Sequence, residues 1–127
     1  MADQVVQGLP EEVCGLAGGT NGLVQRVIPV SNTEHSPVRF RMDPAGQLKA
    51  MLELEKDGLE IVAIYHSHPG GPSFPSATDI EEFAYPGVLS LIWSPGEKSW
   101  QAKAYRIDNK MTGEVPVTVI QDTQRAG

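Results

Sequence analysis

The 127-residue chain holds a single cysteine, Cys14, so no intramolecular disulfide can form and no zinc site that needs two thiolates can be built. Basic residues are also scarce. Ten Lys and Arg stand against sixteen Asp and Glu, a net charge of -6, which is the wrong sign for a protein that binds by neutralising phosphates. Nucleic acid is therefore not an expected partner. No apolar run approaches the ~20 residues that span a bilayer, and the opening Met-Ala-Asp-Gln has no basic n-region, so the expectation is no membrane contact and a cytoplasmic location. Repeats, low-complexity tracts and strongly charged, weakly hydrophobic stretches are absent too. What remains is an ordinary globular composition, 40% hydrophobic and 20% charged. Its length predicts one domain over 1–120 and a polar, frayed tail over 121–127.

Ala2 to Leu9 is long enough for two helical turns before Pro10 interrupts it. Val13 to Ala17, closed by Gly18-Gly19, and Leu23 to Val30 read as two paired strands around a Gly-Thr-Asn-Gly turn. Val38 to Met42 alternates apolar with charged residues, as a half-solvated strand does. Asp43 as N-cap and Pro44 at the first helical position then predict a helix over 44–57, with Leu48, Met51, Leu52 and Leu54 on its apolar side and Gly58 as its stop. The run Ile-Val-Ala-Ile-Tyr within Glu60 to His68 predicts a buried strand, and the proline- and glycine-rich stretch Pro69 to Ser76 an ordered, irregular loop. A short helix over 78–84 follows, then strands over Leu89 to Ser94, Trp100 to Ile107 and Val115 to Ile120.

His66 and His68 stand two apart at the end of a predicted strand, so their side chains leave the same face and can converge on one ion. Asp79 follows eleven residues after His68, across a loop able to fold back onto the strand end. Two imidazoles and a carboxylate suit one zinc ion with an open fourth position, the arrangement of a catalytic site, and water is the implied nucleophile.

The run His66-Ser67-His68-Pro69 followed by Ser76-Ala77-Thr78-Asp79 resembles the His-x-His-Pro, x6, Ser-x-x-Asp signature of the JAMM (MPN+) zinc metallopeptidases, without a gap. Glu12-Val13-Cys14-Gly15-Leu16 resembles the strand that carries this family's catalytic glutamate, and Asn32 to Leu48 is similar to its compact prokaryotic members. The resemblance covers about residues 3–120. It implies an α/β JAMM/MPN fold, cytidine-deaminase-like, in which a mixed, largely antiparallel sheet is flanked by one long and one or two short helices. It implies one Zn2+ held by His66, His68 and Asp79, with Glu12 as proton carrier and Ser76 as donor to the developing oxyanion. It also implies the reaction, hydrolysis of an isopeptide or peptide bond after the C-terminal Gly-Gly tail of a ubiquitin-like or sulfur-carrier protein. The loop Pro69 to Pro75 and the strand around Trp93 are expected to line the groove for that tail. Three histidines and one cysteine leave no second structural zinc, and the short distance from Asp79 to the C-terminus leaves little room for a linkage-selecting insertion.

Structural explanations compete for the same residues. A lone His-x-His is more often a hydrogen-bonded buried pair than a metal site. Ser76 with Asp79 reads as a helix capping box, although Thr78 with Glu81 offers another, so the helix is not expected to need the first. Glu12 beside Glu11 would ordinarily be a solvated charge, and only the Val-Cys-Gly-Leu after it raises it above its neighbour. Cys14 reads as core, His35 as an exposed loop residue, Trp93 and Trp100 as packing, and Glu53, Glu55, Lys56 and Asp57 as a solvated helix face. A non-catalytic MPN-type protein-binding scaffold is the alternative of a different class, but such relatives lack the metal ligands. A DNA-repair-associated relative shares the motif core and is disfavoured by the acidic charge. A nucleoside deaminase would need a Pro-Cys-x-x-Cys pair. An exposed sheet edge would permit a homodimer.

Overall fold

The computed structural model describes residues 1–36, 40–83, 85 and 87–118. Its elements in chain order are α1 (Ala2–Gly8), β1 (Cys14–Thr20), β2 (Leu23–Val30), α2 (Pro44–Lys56), β3 (Glu60–Ser67), α3 (Ala77–Glu82), β4 (Leu89–Pro95), β5 (Trp100–Asp108) and β6 (Met111–Val115). The six strands form one sheet in the order β2-β1-β3-β4-β5-β6. Every neighbouring pair is antiparallel except β3 and β4, which run parallel and are joined through α3. This is the mixed, largely antiparallel α/β sheet with one long and two short helices that the sequence implies. Among the described residues no helix is long and apolar enough to cross a membrane.

Strand periodicity divides the sheet into two cores. On one face Cys14, Leu16, Val30 and Ile64 pack with Met42 and with Ala50 and Leu54 of α2. On the other Ala17, Ala63, Tyr65, Leu91 and Ala104 meet partly buried Met1 and Val27. From the N-terminal helix, Gln4 donates to the Cys14 carbonyl at 3.1 Å and accepts from the Tyr65 hydroxyl at 2.5 Å. Gly15 is required where that hydroxyl crosses β1, because a Cβ there would collide with it and with the Ile28 carbonyl.

Several local expectations shift, each for an identifiable reason. β1 does not stop at Gly18-Gly19 but runs to Thr20, since a ladder needs only backbone groups and Gly18 lets Leu54 of α2 lie against it. The tight turn is Asn21-Gly22, both at positive φ, as a two-residue hairpin demands. Of the strand expected over 38–42, residues 38 and 39 lie outside the described residues. Phe40 and Arg41 form no strand, and Met42 makes only an isolated bridge to Asn32. The Asn32 side chain accounts for this: its Oδ1 accepts from the backbone of both Glu34 and Arg41, closing the segment on itself instead of offering it to a sheet edge.

Helix α2 begins as expected, with Asp43 accepting from the Gly46 amide at 2.9 Å. Its apolar side is turned, however. Ala50 and Leu54 are the buried residues, whereas Leu48 and Leu52 are 58% and 56% exposed, because the i, i+4 row through Gly46, Ala50 and Leu54 is the one narrow enough to approach β1. The acidic face is not simply solvated either, since Arg26 of β2 pairs with both Glu53 and Asp57. The last strand is Met111–Val115, earlier than expected over 115–120. Asn109 and Lys110 at positive φ make the hairpin immediately after β5, and Pro116 has no N–H to extend the ladder. Residues 119–120 of that expected strand, and the tail over 121–127, lie outside the described residues.

Candidate metal centre

The centre forms where β3 ends. In the β1–β3 ladder Cys14 faces His66 and Leu16 faces Ile64, and the same antiparallel register carried two residues further sets Glu12 across from His68. Two bonds hold it beyond the strand proper. The Val13 amide donates to Ser67 Oγ at 2.9 Å, and the Ser67 amide donates to the Val13 carbonyl at 3.0 Å. On the other flank the His68 amide donates to the Trp93 carbonyl at 2.7 Å, prolonging the β3–β4 pairing. The two histidines thus stand on one sheet face with a glutamate beside them.

Asp79 reaches the same point from α3. Its Oδ2 lies 3.2 Å from His66 Nε2 and 3.0 Å from His68 Nε2, and the two Nε2 atoms are 3.0 Å apart. Four-coordinate zinc with bonds of about 2.0–2.1 Å has its ligand atoms about 3.3 Å apart, so this triangle is close to one face of such a tetrahedron. Mutual hydrogen bonding explains it less well. His68 Nδ1 is 2.9 Å from the Pro72 carbonyl, which can only accept, so in the neutral ring Nδ1 carries the proton and Nε2 is a lone pair. That lone pair faces a carboxylate oxygen and another imidazole nitrogen, a meeting of acceptors that suits a cation. Glu12, His66 and His68 also bring ligand-type atoms within 4.8 Å of one another. The donor set therefore fits a zinc-type ion, and these residues could hold one.

Electrostatics separate the four groups. Burial penalises the Asp79 carboxylate, but the close imidazoles of His66 and His68 and the Ser76 amide more than offset it and hold the acid well below its usual range. Burial lowers the His66 pKa and outweighs Asp79. For His68 burial is overcome by hydrogen bonds to Asp79 and Pro72, and its pKa rises. Glu12 moves the other way from Asp79: only 4% exposed, it is pushed by burial up to about 8, with His68 opposing and Asp79 adding to the shift. Its Oε1 is buried without a protein hydrogen-bond partner. A carboxyl that exchanges a proton near neutrality and keeps one oxygen free is equipped for acid/base work.

Ser76 caps α3. Its Oγ accepts from the Asp79 amide at 3.0 Å while Asp79 Oδ2 accepts from the Ser76 amide at 2.8 Å, a complete capping box. The expectation that Thr78 and Glu81 would do this is therefore wrong. The helix starts at Ala77, one residue earlier, and the same carboxylate oxygen that caps it also faces the histidines. Capping uses one lone pair of Ser76 Oγ and leaves its O–H free to donate.

For Trp93 the packing reading holds, and a place for its ring in the groove does not. In the parallel β3–β4 register it pairs with Ser67, so its ring lies on the face opposite His66 and His68, where Nε1 points to Met1 Sδ at 3.4 Å. Only its carbonyl serves the centre. His35 is exposed, 3.5 Å from Glu11, and is not brought to the site. Cys14 is buried, and burial raises its thiol to about 12, with the charge on Glu12 adding to the shift, which makes it core and not a nucleophile.

Some residues at the site give little warning in the sequence. Phe40 stacks on the His66 ring with centroids 4.2 Å apart and planes 19° from parallel. Asn32 Nδ2 donates to the Glu12 carbonyl at 2.9 Å, and the Glu12 amide donates to Ser36 at 2.7 Å. Asn32 carries a readable signal, its Asx turn onto Glu34, whereas Phe40 carries none. Beside the centre, Phe40, Met42, Gln47, Ile64, Asp79 and Tyr85 help line a cleft of about 130 Å3.

The sequence matches the family described as prokaryotic homologues of the JAB domain over residues 1–108. It is 39% identical to the desampylase of Pyrococcus furiosus over 99 residues, covering 76% of this chain and 71% of that protein. It is 49% identical over 99 residues to a probable TtuB-protein conjugate cleaving protease of Thermus thermophilus, covering 70% and 66%. A 33% identity over 115 residues relates it to the CysO-cysteine peptidase of Mycobacterium tuberculosis, covering 88% and 79%. Among solved structures, a protein from Desulfitobacterium hafniense superposes with a TM-score of 0.87 at 33% identity, covering 98% of this chain and 89% of that one. A JAB1/MPN domain protein from Archaeoglobus fulgidus shares the fold at a TM-score of 0.59, with 21% identity and coverage of 94% and 90%. With motif, sheet and converging side chains in agreement, the chain belongs to the compact prokaryotic JAB (JAMM/MPN) domain family.

Proposed function

We propose that the chain is a zinc metallopeptidase that hydrolyses the bond after the Gly-Gly tail of a ubiquitin-like or sulfur-carrier protein. The observation that carries this reading is the convergence of His66 Nε2, His68 Nε2 and Asp79 Oδ2 within 3.0–3.2 Å, beside a buried carboxyl with a free oxygen. The named relatives, a desampylase, a conjugate-cleaving protease and a CysO-cysteine peptidase, support the substrate class.

His66, His68 and Asp79 would hold the ion, which supplies a Lewis acid and lowers the pKa of water to about 7. Glu12 takes the proton from the attacking water and returns it to the departing amine. Such a positioned acid/base group is typically worth ~10²–10⁴-fold. Ser76 Oγ–H donates to the oxygen of the scissile carbonyl as negative charge develops there. A side-chain-free Gly-Gly segment suits a narrow approach because it can lie extended close to the backbone around it.

The test measures zinc content together with cleavage of a ubiquitin-like protein whose Gly-Gly tail bears a C-terminal reporter amide. Stoichiometric zinc with cleavage at the glycine supports the reading. Zinc without cleavage removes the substrate class, and no zinc removes the metallopeptidase assignment.

Phe74, on the loop beside the centre, is 57% exposed and flanked by Ser73 and Pro75. A large ring held out of the core in this position is suited to cover the incoming tail. Phe74→Ala is expected to raise KM about five- to tenfold with kcat within about twofold, the pattern of lost uniform binding. An unchanged KM in steady-state kinetics would remove Phe74 from the groove.

A further inference from the structure

The geometry points to Tyr105 of β5 as a positioning residue for the metal centre, acting on His68 through the loop that follows it. The inference rests on the metal reading given above and concerns a residue that lies in neither motif. Tyr105 is only 7% exposed. It pairs with Ser90 in the β4–β5 ladder, while its neighbour Ala104 pairs with Leu91 and belongs to the core on the opposite face. Its side chain therefore rises on the same face as His66 and His68.

The connection consists of two hydrogen bonds on adjacent carbonyls. His68 Nδ1 donates to the Pro72 carbonyl at 2.9 Å, and the Tyr105 hydroxyl donates to the Ser73 carbonyl at 2.6 Å. The two carbonyls belong to successive peptide units joined at the Ser73 Cα, so only the φ and ψ of that one residue separate them. Fixing one carbonyl restricts where the other can point. Apart from the buried Pro75, the loop has few groups to hold it: Pro69, Pro72 and Pro75 have no N–H, and Gly70 and Gly71 contribute no side chain. The Gly71 amide donates to the His68 carbonyl at 2.8 Å, but that bond is local to the turn. Among the described residues, the Tyr105 hydroxyl is the side-chain anchor that reaches this loop from another strand.

The Pro72 carbonyl matters because it keeps the proton on Nδ1 and so leaves His68 Nε2 as the lone pair facing Asp79 and His66. Partners that fix the tautomer and aim of a ligating imidazole typically change metal affinity by ~10–100-fold when removed. Tyr105 acts one step further out, so the lower end of that range applies. A tyrosine at the sixth residue of the strand Trp100–Asp108 reads as ordinary packing from sequence, and only the bond to Ser73 marks it out.

The test compares wild type, Tyr105→Phe and Tyr65→Phe, each reloaded with zinc against a competing chelator, with thermal unfolding of the metal-free proteins measured alongside. Tyr65→Phe is the control: it deletes a buried hydroxyl of the same kind, bonded at 2.5 Å to Gln4 on the other sheet face. The expected result is about tenfold weaker zinc binding for Tyr105→Phe, with affinity unchanged in Tyr65→Phe even if both lose thermal stability. Tyr105→Phe turnover should then recover when zinc is raised in proportion. Equal zinc affinity in all three proteins would overturn the inference and leave the proposed function standing. A wild type that binds zinc but cuts no Gly-Gly-tailed protein would remove the function, while the affinity comparison would still decide the role of Tyr105.

Discussion

Glu12→Gln is expected to retain zinc and lose at least ~10²-fold in kcat, because the substitution keeps the side chain's shape and removes the group that carries the proton. The same variant should show an opposite effect on stability. The folded-state pKa of Glu12 is raised from 4.5 to about 8, so between those values the folded protein holds a proton that the unfolded chain releases. The stability contributed by protonated Glu12 is thus complete below pH 4.5 and is lost as pH rises through about 8. The slope is at most ~1.4 kcal/mol per pH unit. Gln cannot ionise and carries no such loss. In chelator-treated samples the variant should be about as stable as wild type at pH 5 and clearly more stable at pH 8, measured by urea unfolding at both values. A variant that stays fully active, or a stability difference that does not change with pH, would remove Glu12 from the role of proton carrier. Zinc should reverse the wild-type loss, since a cation beside Glu12 favours its charged form.

His68→Ala should abolish both metal binding and turnover. It removes one of three atoms that lie 3.0–3.2 Å apart, and the two that remain offer zinc too few protein ligands for a stable site. The clearest readout is thermal. A ligand at a thousand times its Kd stabilises a folded protein by about 4 kcal/mol, so wild type should unfold several degrees higher with micromolar zinc. The variant should unfold at one temperature with or without it. The variant also tests the loop, because without the imidazole the Pro72 carbonyl loses the donor that fixes it. An amide-exchange experiment should find Gly71 less protected than in wild type. A zinc-dependent shift that persists in His68→Ala would mean that the ion sits elsewhere.

The site was more legible than the fold around it. The convergence of His66, His68 and Asp79 could be read because their spacing along a strand, a loop and a helix start is local, and local geometry survives translation into three dimensions. Glu12 could be read only through the short motif after it; what places it is the pairing of Cys14 with His66, a contact between strands far apart in sequence. The errors have a common source. Whether Leu48 and Leu52 or Ala50 and Leu54 face the sheet depends on how closely α2 approaches Gly18, and no helical period encodes that. Whether the Trp93 ring faces the histidines depends on the β3–β4 register, which shifts every side chain to the other face with one residue of slip. Phe40 reaches the His66 ring from an irregular segment with no period at all.

The bond from Val13 to Ser67 closes a separation of 54 residues, and it holds together the two chain segments that carry Glu12 and His68. Contacts of such length form late, because the entropy lost in closing the loop must be met before the pairing rewards it. A chain emerging in the order of synthesis therefore carries Glu12 first and cannot bring it beside the histidines until β3 has docked. The meeting of Glu12 with the histidines and the docking of β3 on β1 are thus a single event.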